Sequence, residues 1–91
     1  MDNRGTADIV LARFEWAEIR HHAKVPIITI YTSPEDYPDK FVARLWDLDK
    51  PTPYIAIADT LEAARAAVPT EVMIPFQRDP RDDACITETW I

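Results

Sequence analysis

YIAIADTLEAARAAVP, residues 54–69, changes its period once, and that change sets the fold class. Tyr54 to Ala58 alternate in the manner of a strand. Asp59 or Thr60 then caps a helix, because either side chain can accept a hydrogen bond from an orphan N–H of the first turn. Asp59 and Glu62 also have the spacing of a capping box. Leu61, Ala64 and Val68 recur at helical spacing, and Pro69 stops the run. A helix from Thr60 to Val68 is too short to stand alone and must dock on a sheet. The alanines at 63, 64, 66 and 67 let it lie close.

Upstream, FVARLWDL (residues 41–48) alternates as a second strand, with Phe41, Ala43 and Leu45 on one face and Val42, Arg44 and Trp46 on the other. DKPTP (residues 49–53) carries two prolines and reads as the loop of an antiparallel hairpin. IITIY (residues 27–31) is β-branched and aromatic, hence a strand, and TSPEDYPDK (residues 32–40) is loop. ACITETWI (residues 84–91) alternates as a closing strand, while Val72 to Phe76 form only an apolar patch before a charged loop. The N-terminal run from Thr6 to Lys24 is rich in Ala, Leu, Glu and Arg. It is expected to be a helix capped by Thr6 and presenting Ile9, Ala12, Trp16 and Ile19 on one side. An alternating reading of LARFEWA (residues 11–17) competes with it.

Composition excludes several functions. Ninety-one residues are one domain, 47% of them apolar, so a core needs neither metal nor disulfide. One cysteine, Cys85, points to a reducing compartment, and a cytoplasmic protein is expected. No apolar run approaches the roughly 20 residues of a membrane span. The net charge is −6: six Lys/Arg against seven Asp/Glu up to Leu45, four against nine from Trp46 onward. Nucleic-acid binding needs clustered cations, which are lacking here, so direct binding is not expected. The single glycine excludes Gly-rich phosphate cradles.

No catalytic constellation stands out. His21 and His22 are adjacent, and on a helix they point about 100° apart, so one metal cannot take both. Cys85 has no histidine nearby in sequence to activate it. The acids Asp47 and Asp49, Asp82 and Asp83, and Glu35, Asp36 and Asp39 read as solvated turn residues rather than cation ligands. No cofactor, metal or catalytic residue is assigned, and the protein is not expected to be an enzyme. The aromatic residues are more informative. A short helix cannot cover both faces of a four-stranded sheet, so Val42, Arg44, Trp46, Tyr54 and Trp90 are the candidate protein-binding residues. Whether Tyr54 or Ile55 and Ile57 share the Trp46 face depends on register, and the first helix could cover that face instead.

The run YIAIADTLEAARAAV (residues 54–68) resembles the core of HicB-type antitoxins, which have three strands, a helix and a further strand. The resemblance spans residues 27–68 by architecture and Asp59 to Ala63 by motif. DLDKPTP (residues 47–53) stands where that family has a glycine-containing turn. Residues 31–69 also look like a group of short uncharacterised bacterial proteins whose chains begin near the first strand.

The resulting expectation is an α+β, two-layer domain. Residues 1–25 form an N-terminal helical extension. Residues 26–91 form a β-β-β-α-β core with a four-stranded, mainly antiparallel sheet. Its expected role is a non-enzymatic protein-interaction module, self-associating as a homodimer through the exposed face or an edge strand, or binding another protein. The alternative is an antitoxin-like inhibitor that neutralises a basic partner.

Overall fold

Strand-forming residues dominate the centre of the chain, and the sheet is built around them. The computed structural model describes residues 8–77 and 85–91. The elements are β1 (Ile9–Val10), α1 (Trp16–His22), β2 (Pro26–Thr32), β3 (Phe41–Asp47), β4 (Lys50–Ala58), α2 (Leu61–Ala66), β5 (Pro75–Gln77) and β6 (Ile86–Trp90). The strands make one α+β sheet in the order β1-β4-β3-β2-β6-β5. β1 runs parallel to β4, and every other pair is antiparallel. The expected four-stranded sheet is therefore the centre of a six-stranded mixed one, extended by a short strand at each edge.

Period-2 alternation assigns the faces. Ile28 opposite Leu45, Ile30 opposite Ala43, and Ala43 opposite Ala56 point toward the helices. With Phe14, Ile19, Ala64, Val68 and Trp90 they form the main core. Thr60 caps α2, its Oγ1 accepting from Ala63 N at 3.0 Å. Asp59 pairs instead with Lys40 across the surface, so of the two cap readings Thr60 is the one observed. Burial of Ala64 and Ala67 against the sheet lets this one-and-a-half-turn helix persist.

Residues 9–23 depart most from expectation. The long N-terminal helix does not form; α1 starts only at Trp16. Ile9 and Val10 pair with Tyr54 and Ile55 instead, and Leu11 N donates to Ile55 O at 2.7 Å. Phe14 N then donates to Ala67 O at 2.7 Å, which seats the Phe14 ring in the core. Sheet hydrogen bonds and one buried ring outweigh a helix propensity that is only tenths of a kcal/mol per residue. The expected cap Thr6 lies outside the described residues. The stretch read as an N-terminal extension thus contributes both a strand and core side chains.

The prolines are the second correction. Residues 50–53 are strand, and the β3–β4 turn is only Leu48 and Asp49. β1 pairs only with the distal half of β4, so among the described residues Pro51 and Pro53 have a neighbouring strand on one side alone. There their missing N–H groups cost little. The register slips between Arg44 and Trp46, and Thr52 closes the bulge. Its Oγ1 donates to Leu45 O at 2.7 Å, and its carbonyl accepts from Arg44 Nη1 at 2.7 Å. The left-handed positions that such turns require are filled without glycine, by Ser33, Asp39 and Leu48. The apolar patch before the charged loop is the third correction. Ile74 and Ile91 exchange backbone hydrogen bonds of 2.8 and 2.9 Å, and β5 follows.

Candidate functional site

Both helices pack on one face of the sheet, and the register decides which aromatic residues the other face carries. Arg44 sits opposite Ile55 and Thr29, and Val42 opposite Ile57 and Tyr31. Trp46 faces Ile27 on one side and Pro51 on the other. Val42, Arg44 and Trp46 therefore lie on the helix-free face, as their alternation requires, but Val42 is buried with its neighbour Ile55 and offers no surface to a partner.

Tyr54 and Trp90 do not join them. With Ile55 opposite Arg44 and Ala56 opposite Ala43, Tyr54 falls on the helix side, where its ring stacks on His22 of α1 with centroids 4.1 Å apart. Trp90 is core, opposite Ile28. Its indole Nε1 donates to Glu88 Oε1 at 2.9 Å. The same carboxylate accepts Arg65 Nε and Nη2 at 2.8 Å each. These charge-assisted bonds, the Arg65 fork first, hold the Glu88 carboxyl below the usual glutamate range although its burial pushes the other way. Trp90 is thus a satisfied structural residue.

The helix-free face is organised by an acid that reads in the sequence as a first-turn helix residue. Asp8 accepts Arg44 Nη2 at 3.1 Å on Oδ1 and the Tyr37 hydroxyl at 3.0 Å on Oδ2. Its side chain is 8% exposed. Tyr37 comes from the loop between β2 and β3, so this contact draws that loop back over the sheet. Partial burial, then the hydrogen bond to Asp8 and its charge, raise the Tyr37 phenol above its ordinary value. Arg44, tied to both Asp8 and Thr52, presents a fixed guanidinium rather than a mobile one.

Beside this network runs a cleft of about 490 Å³, lined by Tyr31, Asp36, Arg44, Trp46 and the two prolines of β4. Beyond Arg44 a second hollow, bordered by Glu35 and Tyr37, extends it past Val42. The Trp46 indole Nε1 is shut off from water and has no acceptor among the described residues. An unpaired buried N–H costs about 1–3 kcal/mol. Tyr31 could have been found from strand alternation. Asp8, Pro51 and Pro53 could not, because one was hidden by a helical reading and the others by the rule that prolines mark loops.

The remaining sequence candidates do not converge. Asp47 Oδ1 accepts from Val25 N at 3.0 Å and ties the residue before β2 to the end of β3. His21 and His22 are exposed. Asp82 and Asp83 lie outside the described residues. Among the described residues no three His, Cys, Asp or Glu side chains are grouped to hold a metal ion, and no helix is long and apolar enough to cross a membrane. No protein-family model, curated protein or solved structure matches the chain.

Proposed function

We propose that this chain is a non-enzymatic protein-interaction module whose binding surface is the helix-free face around Trp46. The observation that carries the reading is the unpaired Trp46 Nε1 beside a cleft walled by rigid aromatic and proline rings. Trp and Tyr anchors with little side-chain entropy to lose are the usual centre of protein-binding surfaces. A photo-crosslinking residue tests it, placed at Tyr31 in one variant and at exposed Ala63 on the helix side in another. In native cell extract, protein adducts are expected from position 31 only. Adducts from position 63 alone would overturn the reading.

A second surface supports self-association. Val72, Ile74, Phe76 and Ile91 are all about half or more exposed and gather around β5, which is an edge strand among the described residues. Edge strands with exposed apolar side chains pair readily with a second copy. Light scattering over a concentration series should then show a salt-insensitive dimer, and Phe76→Lys should return it to monomer.

A further inference from the structure

Resting on the reading of the Trp46 face as a binding surface, we infer that its occupant is a basic, proline-rich segment in extended, polyproline II conformation. Three features of the cleft select that chemistry.

The walls come first. Tyr31 and Trp46 offer flat aromatic surfaces, and Pro51 and Pro53 stand beside them as rigid edges. Pyrrolidine rings pack against such surfaces, and a proline-rich chain has already lost much of the conformational freedom that binding removes. Next comes the hydrogen bond on offer. A polyproline II strand makes no internal hydrogen bonds, so its carbonyls are open acceptors. The Trp46 indole, itself only half-buried, has to tilt toward the cleft for its N–H to reach one. That bond replaces an unsatisfied donor, so it is gained without breaking another.

Charge selects the sign of the partner. Arg44 is held by Asp8 and by Thr52 O, which leaves its charge largely committed. Glu35 and Asp36 stand exposed at the cleft and the adjoining hollow. Among the described residues neither forms an ion pair. The chain as a whole carries −6. An arginine spaced along the bound segment meets these two carboxylates at the rim, where it speeds encounter and fixes direction more than it adds affinity.

The probe is a short fluorescein-labelled peptide of repeated Arg-Pro-Pro, set against repeated Glu-Pro-Pro and repeated Arg-Ser-Ser. Anisotropy gives affinity, and proton–nitrogen NMR follows the three indole N–H signals of the chain. Arg-Pro-Pro is expected to bind with a Kd below about 100 μM and to move the Trp46 indole signal downfield, with the Trp90 signal unmoved. Trp46→Phe should weaken binding at least about tenfold, as expected for loss of a central anchor. Glu35→Lys with Asp36→Lys, on an exposed loop, should weaken it severalfold and remove its salt dependence. The surface double variant keeps the test decisive if Trp46→Phe does not fold.

Equal binding of Arg-Ser-Ser would overturn the polyproline class, and equal binding of Glu-Pro-Pro the basic one. Binding that leaves the Trp46 signal in place would overturn the site. If no peptide binds while position 31 still cross-links to protein, the peptide chemistry is wrong and the interaction surface stands. Silence in both experiments overturns both.

Discussion

Trp46 and Trp90 flank neighbouring residues of the same strand, Ile27 and Ile28, and so lie on opposite faces of one sheet. Trp90 is 7% exposed and its N–H is hydrogen-bonded to a carboxylate that Arg65 also holds. Trp46 is half-buried, and its N–H has no acceptor among the described residues. Two indoles of the same chain thus differ in whether folding alone satisfies them. The helix face is complete when the chain has folded. The other face is organised by Asp8, Arg44 and Tyr37, yet it keeps a buried donor with no acceptor among the described residues. A polar group left unsatisfied in an otherwise paired structure marks a place shaped by more than stability.

The comparison breaks most easily on the helix face. Leu45→Ala removes a fully buried side chain between the sheet and the helices and should destabilise by about 2–5 kcal/mol in equilibrium denaturation. A loss below about 1 kcal/mol would show that this face is not the principal core.

Glu88 comes next. Glu88→Ala leaves the buried Trp90 N–H without its acceptor, at a cost of about 2–3 kcal/mol. Little of that comes from the ion pair itself, since the Arg65 side chain is 45% exposed. The same group sets an acid limit. Because the folded Glu88 carboxyl lies below the unfolded value of about 4.3, its stabilisation is fully present above that pH. It is lost as pH falls through the depressed folded value. Denaturation midpoints measured from pH 6 downward should therefore fall less steeply in Glu88→Gln than in the wild type. Parallel profiles would mean that Glu88 is not held as an anion.

The sharpest form of the comparison is the pair of conservative replacements. Trp90→Phe loses a charge-assisted hydrogen bond and should cost about 1.5–3 kcal/mol. Trp46→Phe loses ring area but also removes an unsatisfied donor, so its stability should stay within about 1 kcal/mol of wild type. Equal losses in thermal unfolding would erase the distinction between the two faces. The smallest effect is expected in the β3–β4 turn. Leu48 holds φ of 58°, a region unfavourable for a side chain with a Cβ. Leu48→Gly should change stability by less than about 1 kcal/mol, on the stabilising side, because relief of backbone strain is partly offset by added freedom in the unfolded chain.

Much of the frame was legible in the residues. Ile27 to Tyr31, Phe41 to Asp47 and Tyr54 to Ala58 are strand because their side chains are β-branched, aromatic or strictly alternating, and each signal is contained within its own segment. The helix after Thr60 was legible for the same reason: cap, small residues and Pro69 all lie within ten residues. The candidate site was legible in part. Alternation alone placed Val42, Arg44 and Trp46 together. It assigned Tyr54 and Trp90 to the same patch only because alternation does not say how two strands align.

By itself, then, the sequence determined which residues share a face within a strand, where the main strands and second helix lie, and that the class is α+β. Tertiary structure alone decided three other things. Ile9 and Val10 became a strand because β4 had a free edge to offer them. Pro51 and Pro53 stayed in a strand because the neighbour they would have blocked does not reach that far along β4. Tyr54 turned to the helices because β4 aligned Ile55 with Arg44 and Ala56 with Ala43. Each is a non-local hydrogen-bonding decision. One residue of slip in such pairing sends every side chain beyond it to the opposite face, and no single segment carries that information.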